Sequence, residues 1–181
     1  MKRSSRRLGG GRAAVLAGII ALAGCASDID RLKTAEPRGP AYAQALARDY
    51  QAYVAHQVAQ DNWRYADYFA KKGMEAANGV AVPPEEISKW DIPEDKRESV
   101  AGYRQRLMAA LDGGARVSKP AEAAQAQVNF DCWLQELAEN NIPETHAWIA
   151  GSDVVVAAPD QYSVAACKSQ FLTQLARVEA K

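Results

Sequence analysis

The sequence predicts an all-α domain, a compact bundle of four to five helices joined by irregular, proline-rich connections. Three observations carry that prediction. Apolar and aromatic residues recur at three- and four-residue spacing in successive stretches, the period of an amphipathic helix. Pro and Gly fall at the joints, at Gly79, Pro83-Pro84, Gly113-Gly114 and Pro143. The one β-branched run, Val154-Val155-Val156, has no second run with which to build a sheet.

The chain begins with Lys2, Arg3, Arg6, Arg7 and Arg12, with no acidic residue before Asp28. An apolar segment from Ala13 to Ala21 follows directly. A basic start and a short apolar run form the layout of a secretory signal peptide, and the run is shorter than the roughly 20 residues of a permanent span. It ends in Leu22-Ala23-Gly24-Cys25, which resembles the lipobox of bacterial lipoproteins. The resemblance implies cleavage of residues 1–24 and a diacylglyceryl group on the Cys25 thiol. It also implies an N-acyl chain such as palmitate on the new amine. Ala26-Ser27 follow the cysteine, without an aspartate in the next position. By similarity to lipoprotein sorting rules, that points to the periplasmic face of the outer membrane. One acyl chain anchors only marginally and two or more hold firmly, so the mature protein is expected to be tethered by lipid.

Cleavage removes five of the 22 basic residues and none of the 22 acidic ones, leaving a formal charge of −5. Nucleic-acid binding, which leaves a basic footprint, is not expected. The remaining chain suffices for one ordinary domain. Residues 25–39 are mostly small or polar and read as the lipidated cysteine and a tether, with the helical domain spanning 40–181.

The first helix follows Pro40, with Tyr42, Leu46, Tyr50, Tyr53 and Gln57 along one side. A second places Trp63, Ala66, Phe69 or Ala70, Met74 and Ala77 on one face; Asp61 caps it or lies inside a continuous helix, and Gly79 ends it. Val80 to Pro84 reads as extended, because proline disfavours the helical region for its predecessor. Trp90 is expected to fasten the irregular Trp90–Pro93 stretch to the domain, with an N–H that needs a partner. A third helix from about Glu94 to Leu111 turns Val100, Tyr103, Leu107 and Leu111 inward. The fourth, from Pro120 to Glu139 or Asn140, carries Phe130, Trp133, Leu134 and Leu137 on one face. Ala121, Val128 and Cys132 point nearly the opposite way, so this helix belongs at the middle of the assembly. The last begins after Asp160 with Val164, Cys167, Phe171, Leu175 and Val178 inward.

In an oxidising compartment, Cys132 and Cys167 on inward faces read as a structural disulfide between the fourth and fifth helices. Two buried free thiols are the alternative; a redox or metal pair is disfavoured by the lack of a C-x-x-C spacing. His56 and His146 have no local companions for a metal site, and none is expected. Glu85-Glu86, Asp91 with Glu94 and Asp95, and Glu136 with Glu139 have ordinary explanations as solvated surface or helix starts. No serine sits in a nucleophile elbow and no Gly-rich phosphate loop is present, so no catalytic residue is assigned. The aromatic residues are the more informative feature. Trp63, Tyr65, Tyr68 and Trp90 form the candidate binding surface. Asp61 and Asp67 flank Trp63 and Tyr65, the pattern of a sugar-binding groove.

Several phrases together carry a wider resemblance: Asp61 to Gly73, Val82 to Glu85 with Trp90, Ala123 to Leu134, and Cys167 to Phe171. They are similar to the helical N-terminal region of certain alphaproteobacterial envelope lipoproteins, which in some members precedes an OmpA-like peptidoglycan-binding domain. This sequence ends at Lys181, so no such domain is expected, and Gly151–Pro159 is an insertion relative to the pattern. The resemblance implies the compartment, the lipid and a Cys132–Cys167 pairing, and it brings no activity. The expected function is a non-enzymatic outer-membrane lipoprotein that docks another envelope protein or a cell-wall component. It needs no cofactor beyond the lipid on Cys25. The alternative is a cell-wall glycan binder or hydrolase using the acids and aromatics near Trp63.

Overall fold

The computed structural model describes residues 27–140 and 162–180. Cys25, His146, the Val154–Val156 run and the Gly151–Pro159 segment lie outside the described residues. Every regular element among the described residues is helical, and there is no strand among them. In order they form α1 (Asp28–Lys33), α2 (Ala41–Ala59), α3 (Trp63–Ala77), a 3₁₀ turn (Ile87–Lys89), α4 (Glu94–Ala110), a widened turn (Leu111–Ala115), the single turn α5 (Arg116–Ser118), α6 (Pro120–Glu139) and α7 (Val164–Glu179).

The first element corrects the sequence reading of 25–39 as a tether. Ser27 caps α1 by accepting a hydrogen bond from the Asp30 N–H at 3.2 Å. A six-residue helix is marginal alone, and packing supplies what its length does not. Leu32 is fully buried against α3. It enters a notch at Gly73, where a Cβ would lie 2.6 Å from a Leu32 methyl. The sequence gives no local sign of this, because the partner of Leu32 is 41 positions away, at Gly73.

α2 and α3 pack closely as a helical hairpin. Asp61 does not cap α3. It is the left-handed residue that closes α2, at φ 56°. The Asp61 N–H then reaches the Val58 carbonyl and the Asn62 N–H reaches that of Gln57, the paired bonds of a Schellman ending. Gly79, at φ 90°, closes α3 in the same way through Ala76 and Glu75. Gly79 also abuts Gly39, where an added Cβ would come within 2.8 Å of the Gly79 Cα.

α6 is the central helix. It packs on α2 along one side and on α7 along the other, and it buries apolar side chains towards both. Ala121, expected on the second buried face, is exposed because it precedes the packed part of the helix. Phe130, Trp133, Phe171 and Tyr103 join α6, α7 and α4 in an aromatic cluster with ring centroids 5.3 to 6.3 Å apart. Cys132 and Cys167 are disulfide-bonded, with Cα atoms 5.9 Å apart, and fasten α7 to α6. Gly114, at φ 109°, provides the bend from α4 toward α6.

Candidate functional site

The α2–α6 contact is unusual for a helix pair in being polar at its centre. Along α6, Gln127, Asp131 and Gln135 recur every four residues on a single stripe, and all three are buried. Tyr42, Tyr50, Tyr53 and Gln57 of α2 meet them. Tyr42 donates to Gln127, Tyr50 donates to Asp131 at 2.5 Å, and Tyr53 donates to Gln135. Gln57 donates to the same Gln135 oxygen at 2.8 Å. Each tyrosine ring contributes to the apolar core while its hydroxyl satisfies a buried acceptor.

Two further elements close on this stripe. Lys72 of α3 lies 2.7 Å from Asp131 Oδ2 and 2.6 Å from Glu85 Oε1. Glu85 belongs to the extended segment after α3, and its N–H donates to Asp131 Oδ1 at 2.8 Å. Its other carboxylate oxygen accepts from Tyr68 at 2.7 Å and from Trp90 Nε1 at 3.0 Å. Arg104 of α4 holds the same segment from outside, donating to the Glu85 and Pro84 carbonyls at 2.6 and 3.1 Å. Glu85, expected at the solvated surface, is therefore buried at 4 % exposure, because five side chains hold its carboxylate and main chain there.

The charges in this cluster oppose each other. Burial would drive the Lys72 ammonium to lose its proton, but Asp131 and Glu85 together hold it above the ordinary lysine range. Burial likewise raises Glu85, yet Lys72 and the hydrogen bonds from Lys72, Tyr68 and Trp90 outweigh it, leaving that carboxyl below its usual value. Burial dominates at Asp131 and raises its carboxyl, with Lys72 pulling the other way and Glu85 adding to the rise. One ammonium thus serves two carboxylates. Each carboxylate accepts three hydrogen bonds, and Asp131 is the more deeply buried of the two.

Above this cluster lies a surface pocket of about 500 Å³. Tyr65, Tyr68 and Trp90 line it, with Arg64, Lys71 and Lys89 as cations and Asp67 and Asp91 as acids. Tyr65 stacks on Trp90 at 5.7 Å, while Tyr68 meets Trp90 edge-on at 5.7 Å. Trp90 is itself 8 % exposed and stacks inward on Phe69 at 6.1 Å, so it anchors the loop and walls the pocket at once. Arg64 lies over the Tyr65 ring at 5.5 Å.

The structure brings together three of the four residues expected as a binding surface. Trp63 is not among those lining the pocket; it is 55 % exposed at the start of α3, and not on the packed face. Of the two acids expected around an aromatic groove, Asp67 lines the pocket and is paired with Lys71 at 2.6 Å. Asp61 serves the α2 ending instead. His56 packs on Tyr162 at 4.5 Å. Among the described residues no cluster of metal-ligating side chains occurs, and no helix is long and apolar enough to cross a membrane.

Apolar periodicity does not reveal Lys72 and Asp131, because their pairing joins residues of two helices 59 positions apart. The signal was present as a polar stripe, Gln127, Asp131 and Gln135, on the most apolar helix. No family model matches the chain, and no curated protein or solved structure is significantly similar to it.

Proposed function

We propose that the protein is a non-enzymatic lipoprotein of the outer membrane, tethered through acylated Cys25 at the periplasmic face. On this reading the pocket walled by Tyr65, Tyr68 and Trp90 is the surface it offers to another envelope component. The single observation that carries the docking part is the composition of that pocket. Aromatic walls are ringed by charges of both signs, the arrangement in which anchoring area and orienting contacts coincide. The pocket is also prepared in advance, since Glu85 and Phe69 hold Trp90 from below. The arginine-rich start, the apolar run and the lipobox support the anchor and the compartment.

A photo-crosslinking residue in place of Asp91, at the pocket rim, tests the docking reading in living cells. The expected result is a discrete adduct from position 91 and none from position 117, which is 87 % exposed and outside the pocket. No reproducible adduct from position 91 would reject docking there. Cys25→Ser tests the anchor: the protein is expected to remain unprocessed and to leave the outer-membrane fraction.

A second reading, a cell-wall glycan binder or hydrolase, draws on Asp67 and Asp91 lining the same pocket as Tyr65 and Trp90. A retaining or inverting glycosidase places two carboxyl groups about 5 to 9 Å apart across the bond. Incubation with purified wall material separates the readings. Released fragments overturn the non-enzymatic one.

A further inference from the structure

α6 is flanked by α2 and α7, and between those two helices a groove of about 360 Å³ opens onto it. Val128, Asn129 and Gln125 of α6 line its floor, and Thr173 and Gln174 of α7 line one wall. From α2 comes Asp49, among the described residues the one charged side chain lining the groove. Its Oδ2 atom is buried and accepts no hydrogen bond from the described residues. A buried carboxylate oxygen left without a donor is costly, and native structures seldom keep one without a use. The neighbouring Arg48 is exposed and its guanidinium donates to Gln44 at 3.4 Å, so it does not fill that role.

We infer that this groove is a binding site for a small polar molecule carrying a primary ammonium group, received by the Asp49 carboxylate. The lining fits that chemistry in three ways. Asp49 supplies a single negative charge, which a monovalent cation neutralises; a divalent metal calls for several anionic or imidazole ligands, and none stand beside it among the described residues. Among the described residues no lysine or arginine lines the groove to compete for Asp49. The Asn129, Gln125 and Gln174 carboxamides can accept further N–H bonds and donate to hydroxyl or carbonyl groups of the same ligand. The volume is near the lower end of small-molecule sites, roughly 300 to 1,000 Å³, which suits one sugar or one amino-acid unit better than a polymer. The Asp49 carboxyl, pushed up by burial to about 7 with Arg48 only partly opposing, is that of an acid lacking its counter-charge.

An amino sugar and the free amino end of a peptide both present this group, and titration distinguishes them. Glucosamine and alaninamide, each beside its N-acetylated counterpart, are added to the full chain while the Asn129 and Gln174 side-chain amide resonances are followed. The expected result is saturable shifts with one amine and loss of at least about tenfold in affinity on N-acetylation. Asp49→Asn, close in shape and free of the buried charge, is expected to fold and to weaken binding to a similar degree. No shift with either amine at millimolar concentration overturns the inference. Equal binding of the acetylated compounds, or undiminished binding by Asp49→Asn, overturns it as well.

Discussion

Lys72 Nζ lies 2.7 Å from Asp131 Oδ2, tying α3 to the central helix in the interior of the protein. The same nitrogen holds Glu85, so α3, the extended segment that follows it and α6 meet at one ammonium. Removing one partner of such a cluster leaves uncompensated charge in a site where water cannot replace it. Lys72→Met is therefore expected to destabilise the fold by about 3–5 kcal/mol in urea unfolding. Adding Asp131→Asn to that variant removes one of the two orphaned charges and is expected to restore part of the loss. If the double variant is the less stable of the two, like-charge repulsion between Glu85 and Asp131 is not the source of the penalty.

The helices were legible in the sequence because their signals are local. Phe171 and Leu175 sit one turn apart, Gly79 ends α3, and Pro120 opens α6. The central place of α6 was legible as well, since apolar side chains on both sides of a helix must be buried on both. Three features set by tertiary contacts were not legible, although the Cys132–Cys167 pairing was. Glu85 looks like surface until Lys72, Tyr68 and Trp90 are seen around it. Leu32 looks like tether until Gly73 supplies a notch. Trp63 looks like core because its spacing fits the apolar face, yet the helix start leaves it beyond the packed region.

Trp90 and Trp63 are expected to differ sharply on truncation. Trp90→Ala removes a buried ring stacked on Phe69 and a donor to Glu85, at a cost of about 3–5 kcal/mol. Trp63→Ala removes a largely exposed ring, and its effect on stability is expected within about 0.5 kcal/mol. Parallel urea titrations check the pair. A large loss at Trp63 would show that its exposed ring makes a stabilising contact that its position does not suggest.

The disulfide makes a third prediction. Cys132 and Cys167 close a loop of separation 35, for which restriction of the unfolded chain is worth about 2–4 kcal/mol. Reduction is expected to lower the melting temperature while α7 stays helical and docked, because Phe171, Leu175 and Val178 remain buried against the core. Circular dichroism with and without reductant measures both effects, and non-reducing peptide mapping of exported protein checks the bond. Two alkylatable thiols in that protein would remove the premise.

Asp49 gives the stability a pH dependence whose sign can be worked out. Burial, only partly opposed by Arg48, lifts its folded value to about 7, against about 4 in the unfolded chain. The folded state therefore binds this proton more tightly than the unfolded state does. Its contribution is most favourable below the unfolded value, declines as pH rises from about 4 to 7, and is level above that. The decline amounts to something on the order of 2–4 kcal/mol. Asp49→Asn has no proton to lose, so it is expected to match the parent near pH 4 and to exceed it in stability above pH 7. Glu85 and Asp131 also titrate, but they are common to both proteins and cancel in the difference. Urea unfolding of both across that range supplies the curve. A difference that stays constant with pH would mean that Asp49 is ionised in the folded protein at little cost.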